Sequence, residues 1–245
     1  MRVDLTDNDK LRTIKITPDY RKNANGPAQI EFGNTKVICT ATIEEKVPPF
    51  LKGTGKGWLT GEYGMLPAST QTRKARESSR GKVDGRTQEI QRLIGRSLRS
   101  IINLEEIGER TIWIDCDVIQ ADGGTRTASI SGGFVALAYC VNWMIENGLI
   151  EKSPLYGQVA AISAGIYDGQ AILDLCYEED SAAKVDMNLV MTNKGEFSEI
   201  QGTGEEDPFT LEELQQILTI GKKGIQELIS IQEESLGDLK SLVKN

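Results

Sequence analysis

The 245-residue sequence contains no histidine. Nucleophilic schemes that pair serine or cysteine with histidine are therefore excluded, and so are metal sites with histidine ligands. The four cysteines, Cys39, Cys116, Cys140 and Cys176, lie far apart, and none belongs to a C-x-x-C pair. Each lies in an apolar run, so we expect buried free thiols rather than a zinc site or disulfides.

Long apolar runs are also missing. No run of about 18 apolar residues occurs. The N-terminus, Met1-Arg2-Val3-Asp4, lacks the basic-then-apolar layout of a signal peptide. We therefore expect no contact with a membrane and a cytoplasmic location. The chain has 39% hydrophobic and 26% charged residues, which is typical of a globular protein with a full core.

Positive charge is outnumbered by negative charge, and the formal net charge is −8. This alone argues against a nucleic-acid ligand. The distribution of charge reverses that argument, since residues 73–99 carry nine basic residues against three acidic ones. A basic island in an acidic molecule is the electrostatic footprint expected for an anionic ligand. A run of charges is also commonly no more than a solvated surface, so the pattern leaves both interpretations open.

Hydrophobic periodicity predicts strands followed by helices, twice over. A tight hairpin is expected at Gly33-Asn34, and the Gly- and Pro-punctuated stretch 47–82 is predicted to be a long functional loop. The predicted strands are 13–17, 28–32, 35–43, 111–120, 158–166, 171–177 and 184–191, with a weaker candidate at 196–200. The predicted helices are 87–104, one that runs through Phe134 to Ile145 and ends near Gly148, and 210–234.

No proline-rich linker divides these elements. We therefore predict an α+β fold in which two similar β/α halves pack as one domain over residues 1–245. The last helix begins with a capping box at Thr210-Leu211-Glu212-Glu213. The tail, about residues 237–245, is expected to be frayed.

A glycine turn joins one predicted strand to the next predicted helix. It reads Gly123-Gly124-Thr125-Arg126-Thr127. Paired glycines let backbone N–H groups approach a ligand, and a helix start supplies a partial positive charge. With the Thr125 hydroxyl and the Arg126 guanidinium, the turn can form a cage for a tetrahedral oxyanion. An ordinary turn capped by threonine is the alternative, and the local pattern does not separate the two.

Two aspartates follow the predicted strand 171–177. Asp180 ends the acidic run Glu178-Glu179-Asp180, and Asp186 comes after a short turn. We predict that Asp180 ends one strand and that Asp186 lies near the start of its hairpin partner, which brings two carboxylates together. Oxygen ligands of this type suit Mg²⁺. An acidic turn without a ligand is the alternative.

The predicted helix 87–104 places Arg92, Arg96 and Arg99 on the side opposite its apolar arc. These arginines could contact a polyanion or could simply be solvated. An anion cage, a basic strip and a carboxylate pair without histidine suit phosphoryl transfer, in which positioning and charge neutralisation do most of the catalysis. Kinases, nucleotidyltransferases and nucleases all stay open at this point.

Four motifs carry a resemblance to a known family. They are GRTQEIQRLIGR at 85–96, DCDVIQADGGTRTASI at 115–130, VDMN at 185–188 and QGT at 201–203. In this order along nearly the whole chain, they closely resemble the bacterial ribonuclease PH family. The resemblance implies the fold that this family shares with polynucleotide phosphorylase and the exosome core, which is related to domain 2 of ribosomal protein S5.

The same resemblance implies an activity. It is that of a phosphate-dependent 3′-to-5′ exoribonuclease, which trims tRNA precursor 3′ ends and releases nucleoside diphosphates in a reversible nucleotidyltransferase reaction. Inorganic phosphate is the implied co-substrate and Mg²⁺ the implied cofactor. The implied assembly is a homohexamer built as a trimer of dimers.

Site residues follow by motif. The resemblance assigns phosphate to Arg86, Gly124, Thr125 and Arg126. It assigns the metal, or help for the leaving oxygen, to Asp180 and Asp186. The basic positions implied to contact RNA are Arg73, Arg76, Arg92, Arg96 and Arg99.

The chain departs from the family pattern twice. An Arg-x-Asp-Gly-Arg motif is replaced by Arg2-Val3-Asp4-Leu5-Thr6, and a Pro-Arg-x-Thr motif by Pro67-Ala68-Ser69-Thr70. The alanine at 68 removes one implied RNA contact. A second hypothesis is a catalytically silent ring subunit that only assembles and binds RNA, but it predicts losses at Arg126, Asp180 or Asp186, and none is seen. A small-molecule kinase is a third, but it needs a phosphate loop that residues 53–57, GTGKG, do not provide.

Overall fold

The computed structural model describes residues 2, 7–18, 22–205 and 207–243. Over these residues, nine strands form two sheets. The first sheet has the order β1-β2-β3-β5-β4 and consists of β1 (Ile14–Pro18), β2 (Gly26–Phe32), β3 (Thr35–Glu44), β4 (Trp58–Met65) and β5 (Thr111–Gln120). The second has the order β7-β6-β8-β9 and consists of β6 (Val159–Tyr167), β7 (Gln170–Leu173), β8 (Val185–Thr192) and β9 (Phe197–Gly204).

Five α-helices lie in the same described residues. They are α1 (Glu77–Arg80), α2 (Gly85–Arg99), α3 (Thr125–Glu146), α4 (Tyr177–Ser181) and α5 (Leu211–Leu236). Helix α3 packs on β2 and β3 of the first sheet and on β6 of the second, α2 packs on β4, and α5 packs on β6 and β7. The α+β fold of two β/α halves is therefore confirmed.

Helix α3 is the centre of the core. Close packing requires small residues, because a Cβ added at Gly26 of β2 would lie 1.9 Å from the Ala136 carbonyl oxygen of α3. One hydrophobic cluster includes Phe32, Phe134 and Leu189 and so runs through both halves. In the described part of the chain, α3 is the one helix long and apolar enough to cross a membrane, and 78% of its apolar window is buried inside the fold. Burial of this extent is typical of a core helix.

The stretch 47–82, predicted to be a loop, contains β4, so that prediction is wrong over 58–65. Strand β4 runs parallel to β5 at the edge of the first sheet. Its inward positions are Leu59, Gly61 and Tyr63. The middle one is glycine because α2 lies so close that an added Cβ would be 2.9 Å from Ile94 Cγ2. A glycine in the apolar register hides the alternation by which strands are predicted.

The predicted hairpin that joins Asp180 to Asp186 is also wrong. Strand β7 ends at Leu173 and pairs with β6, which lies between β7 and β8. Residues Tyr177–Ser181 form the short helix α4 instead. The Cys176 thiol precedes α4 as its N-cap and is only half-buried, whereas the other three cysteines are buried as predicted. All four thiols are free.

The C-terminal region agrees with the sequence up to α5. The Thr210 hydroxyl accepts a hydrogen bond from the Glu213 N–H (3.2 Å), and the Glu213 carboxylate accepts one from the Thr210 N–H (2.8 Å), which completes the predicted capping box. Beyond α5, Gly237–Leu242 form a 3-10 helix where fraying is expected, and Leu239 and Leu242 pack on the core. The last two residues lie outside the described part, as do four of the five residues in the N-terminal departure.

Candidate active site

The glycine turn has a backbone that only glycine adopts easily. Gly123 has φ 73° and Gly124 has φ 64°, both in the left-handed region. A Cβ at Gly123 would also lie 2.4 Å from the Leu175 carbonyl oxygen. The turn, which comes from the first half of the chain, is therefore pressed against the segment that enters α4 in the second half.

Hydrogen bonds hold this turn from several directions. The Thr35 hydroxyl accepts from the Asp122 N–H (2.8 Å) and donates to the Gly123 carbonyl (2.6 Å). The Asp122 carboxylate accepts from the Tyr177 N–H at the start of α4 (3.2 Å). The Arg12 guanidinium donates to the Asp122 carbonyl (2.5 Å). Contacts within the protein thus fix the position of the turn.

Two buried arginines near the N-terminus tie this region together. The Arg12 guanidinium makes a two-pronged ion pair with the fully buried Asp174 (3.0 and 2.7 Å). Arg2 is 2% exposed and donates to the Glu179 carboxylate (3.3 Å) and to the Asp174 carbonyl (3.1 Å). Because Glu179 precedes Asp180 in α4, these pairs fix the position of Asp180 relative to the glycine turn.

Helix α3 begins directly after the turn, with Thr125 and Arg126 as its first two residues. The N–H groups of a first helical turn have no partners within the helix and can bind an anion. The Arg126 guanidinium donates to the Gln201 side-chain oxygen of β9 (2.5 Å) and lies 3.7 Å from the Glu89 carboxylate of α2. Gln201 in turn donates to Glu89 (2.8 Å), so the guanidinium is held in one orientation.

The predicted phosphate and carboxylate residues share one cleft. A cavity of about 290 Å³ is lined by Arg86, Arg126, Asp180 and Asp186, together with residues 181–183 and Glu205. A larger cleft of about 1030 Å³ shares these four residues and extends to Gly124 and Thr125. The structure therefore brings all six residues of the two predicted sets together.

Asp180 and Asp186 line the same cavity, and the charge on one affects the proton affinity of the other. Burial, and then the neighbouring Asp180 charge, raise the pKa of Asp186 to about 6. Burial also raises the pKa of Asp180, although the positive charges of Arg86 and Arg126 oppose the change. The pair can therefore hold or release one proton near neutral pH.

A divalent cation fits this pair. The Asp186 Oδ1 atom is buried and has no hydrogen-bond partner among the described residues. Mg²⁺ typically takes one or two carboxylates and completes its shell with water and substrate phosphates. The described residues contain no group of three or more Cys, Asp and Glu side chains able to hold a metal. Asp180 and Asp186 would therefore need help from a substrate phosphate.

The five arginines implied to contact RNA lie elsewhere, and none lines either cavity. Arg73, Arg76 and Arg92 are exposed. Arg96 makes a two-pronged pair with Glu199 of β9 (2.9 and 2.7 Å). Arg99 donates to the Leu59 carbonyl (2.8 Å), and its guanidinium lies 4.6 Å from the Trp58 ring centroid. Since Arg96 and Arg99 already have partners, the proposed RNA contacts stay predictions.

Several residues that line or support the cleft were missed from sequence. Tyr63 donates or accepts a hydrogen bond with the Thr125 hydroxyl (2.9 Å), but it lies in the stretch predicted to be a loop. Ser163 and Asn188 face each other across β6 and β8 and line the larger cleft. Gln201 belongs to the QGT motif, which could have pointed to it. No signal in the sequence indicates Arg12, because its partner Asp174 is 162 positions away.

The fold and the site together define a class of protein. A helix N-terminus and two guanidinium groups can hold a phosphate-like anion beside a carboxylate pair in which the pKa of Asp186 is raised to about 6. The family model described as "3′ exoribonuclease family, domain 1" matches residues 10–141, and the model described as domain 2 of the same family matches residues 157–224. The chain belongs to the 3′ exoribonuclease family.

Solved structures share this fold. Rice (Oryza sativa) Rrp46 superposes with a TM-score of 0.77 at 20% identity, covering 98% of this chain and 100% of its own. The Archaeoglobus fulgidus exosome with RNA bound to the active site superposes with a TM-score of 0.78 at 17% identity, covering 93% of this chain and 91% of its own. An archaeal exosome core superposes with a TM-score of 0.75 at 17% identity, covering 96% of this chain and 90% of its own. The resemblance is thereby confirmed for the family, and the narrower assignment to bacterial ribonuclease PH stays a prediction.

Proposed function

We propose that this chain is a phosphorolytic 3′-to-5′ exoribonuclease of the ribonuclease PH type. The observation that carries the proposal is the shared cleft, in which Thr125 and Arg126 at the start of α3 face Asp180 and Asp186. Groups that hold an anion beside two carboxylates favour bound phosphate, rather than water, as the nucleophile.

In the proposed reaction, an oxygen of inorganic phosphate forms a bond to the terminal phosphorus of the RNA. The bond from that phosphorus to the O3′ atom of the preceding nucleotide breaks, and a nucleoside diphosphate leaves. The O3′ atom takes up a proton, which the Asp180 and Asp186 pair can supply because it binds one near neutral pH. The same atoms support the reverse reaction, which adds nucleotides when nucleoside diphosphate is abundant.

Charge neutralisation is the second contribution of the cleft. Arg86 and Arg126 line both cavities and oppose the negative charge that gathers around the reacting phosphates. Alternatively, Asp180 and Asp186 would hold Mg²⁺, which would offset further charge on the transferred phosphoryl group; the pair would then be ionised and would not supply the proton. Gln201 and Glu89 hold Arg126 in the orientation that binding requires.

The proposal extends to the substrate and the assembly. The RNA is the 3′ end of a tRNA precursor, the active form is a homohexamer built as a trimer of dimers, and the location is cytoplasmic. Two observations support an RNA substrate: Lys74 of the basic segment lines the larger cleft, and a structure of the same fold is described with RNA in its active site.

A catalytically silent subunit is the second candidate. The observation in its favour is Ala68, which lines the larger cleft where the family resemblance implies an arginine. The presence of Arg126, Asp180 and Asp186 in one cavity argues against it. Binding of RNA without release of nucleotides would support this candidate.

The test uses an RNA with a single-stranded 3′ end and a label at the 5′ end, with Mg²⁺ and with or without inorganic phosphate. We expect stepwise shortening and nucleoside diphosphates only when phosphate is present. Nucleoside monophosphates released without phosphate would identify a hydrolase. An intact RNA that is bound under both conditions would identify the silent subunit.

A further inference from the structure

Tyr63 lies beneath the proposed phosphate site. It occupies an inward position of β4 and is 6% exposed, with its ring packed in the core. Its hydroxyl oxygen lies 2.9 Å from the Thr125 Oγ1 atom, at the first residue of α3. A buried hydroxyl needs a hydrogen-bond partner, and the Thr125 hydroxyl meets this need.

The hydroxyl pair lies within the field of the anion site. Burial raises the pKa of Tyr63, although the hydrogen bond with Thr125 and the positive charges of Arg86 and Arg126 oppose the change. The phenol therefore keeps its proton at neutral pH and has one to donate. Thr125 lines the larger cleft together with these arginines, whereas Tyr63 lines neither cavity, so Thr125 connects the phenol to the space for a ligand.

Counting protons fixes the direction of the hydrogen bond when an anion is present. A threonine hydroxyl has one proton to donate, and a bound phosphate offers mainly acceptor oxygens. If the Thr125 proton points to the phosphate, the remaining contact between Tyr63 and Thr125 must be donated by the phenol. A helical threonine divides between two side-chain rotamers, so a fixed partner below it also selects one of them.

We propose that Tyr63 is a positioning residue for the phosphate nucleophile. Its hydroxyl donates to the Thr125 Oγ1 atom, holds one rotamer and turns the Thr125 proton toward the bound phosphate. This inference deepens the proposed function and rests on it. The alternative role for Tyr63 is to fill the core with its ring, for which the hydroxyl is unnecessary.

The first experiment compares Tyr63→Phe with the matched variant Tyr156→Phe, which removes a hydroxyl outside both cavities. For Tyr63→Phe we expect the KM for phosphate to rise about tenfold, as for the loss of a hydrogen bond that serves a charged group. The KM for RNA and the kcat at saturating phosphate should stay within about twofold. Tyr156→Phe should match the unchanged enzyme. An unaltered KM for phosphate in Tyr63→Phe overturns the proposal.

The second experiment is a double-mutant cycle with Thr125→Val, which removes the hydroxyl at similar volume. Thr125→Val should raise the KM for phosphate at least as much as Tyr63→Phe does. Adding Tyr63→Phe to it should change that KM by less than about twofold, because the contact is already lost. Thr125→Ser retains the hydroxyl and should stay as sensitive to Tyr63→Phe as the unchanged enzyme. If Tyr63→Phe raises the KM for phosphate by the same factor in the unchanged enzyme, in Thr125→Val and in Thr125→Ser, then Tyr63 acts independently of Thr125 and the proposal is wrong.

Two further measurements separate the possible failures. If Tyr63→Phe does not fold, Thr125→Val tests the same contact from its other side, and an unchanged KM for phosphate contradicts the inference. If the unchanged protein releases nucleotides without phosphate, the proposed function fails. Calorimetric titration with inorganic phosphate then still tests the inference, which expects about tenfold weaker binding to Tyr63→Phe and is overturned by equal binding.

Discussion

The glycine turn and the carboxylate pair meet in one cleft, but they are built differently. The backbone conformation of the turn has a local cause, because Gly123 and Gly124 both adopt left-handed backbone and lead straight into α3. The pair is assembled from two different elements: Asp180 lies in helix α4 and Asp186 in strand β8. Buried contacts to residues near the N-terminus hold α4 in place. The backbone conformation of the turn is therefore set by its own residues, although Arg12 and Thr35 also hold it, whereas the position of the pair depends on distant contacts.

The largest expected effect is on the turn side of this comparison. In Arg126→Ala we expect kcat/KM for phosphorolysis to fall by about 100- to 1000-fold, as when one preorganised donor to a reacting anion is removed. Only 15% of the Arg126 side chain is exposed. The free energy of unfolding should nevertheless change little, because the partners Gln201 and Glu89 still pair with each other. Steady-state kinetics against phosphate measures the effect. Arg110→Ala, which breaks the exposed pair with Glu45, is the control, and equal losses in both variants would contradict the site.

Removal of the distant support should affect the pair. In Arg12→Ala, Asp174 becomes a buried and unpaired charge, since it is fully buried in the ion pair. We expect the free energy of unfolding to fall by about 3–5 kcal/mol. Chemical denaturation measures this loss. Lys223→Ala breaks an exposed pair with Asp9 and should lower the free energy of unfolding far less. Similar losses for the two variants would show that the buried pair does not support the second half.

The titration of Asp186 gives the pair a pH signature. Its pKa of about 6 in the folded protein lies above the ordinary value of 3.8. The folded protein therefore binds the extra proton between these values, and the unfolding free energy falls as pH rises through this window, by up to about 3 kcal/mol at pH 7. In Asp186→Asn the unfolding free energy should not fall over this pH range. The variant should therefore gain stability relative to the unchanged protein as pH rises from 4 to 7. Denaturation with a chelator present measures it, and parallel curves for the two proteins would refute the raised pKa.

A substitution in the turn itself tests its contact with the second half of the chain. Gly123→Ala places a Cβ at positive φ and 2.4 Å from the Leu175 carbonyl oxygen. We expect a loss of about 2–4 kcal/mol in unfolding free energy. Gly148→Ala has a similar φ of 68° and nothing within 4 Å of the added Cβ, so only the backbone cost of about 1 kcal/mol is expected. Equal losses in thermal or chemical denaturation would mean that contact with the second half is unimportant.

Prediction from the sequence succeeded where the cause is local. The hairpin at Gly33, the capping box at Thr210 and the glycine turn depend on neighbouring residues, and all three are present in the structure. Strand β4 was missed because Gly61 replaces an apolar residue where α2 packs closely. The Asp180 and Asp186 pair was expected from a hairpin that does not exist, and the actual arrangement depends on strand order, which periodicity does not report.

The same distinction applies to the site. Arg86, Arg126 and the two aspartates were assigned by motif, and the structure places them in one cavity. Arg12, Asp174 and Tyr63 support the site through contacts with distant partners, and no pattern in the sequence reveals those contacts. The helix periodicity that grouped Arg96 with Arg99 did not show that their guanidinium groups pack on Glu199 and Trp58.

The central claim is that phosphate bound at the start of α3 attacks the RNA. The most direct measurement supplies isotopically labelled inorganic phosphate with RNA and Mg²⁺, and analyses the released nucleotides by mass spectrometry. We predict one labelled phosphate at the β position of every nucleoside diphosphate, and loss of this product in Arg126→Ala. Release of unlabelled nucleoside monophosphates would contradict the account.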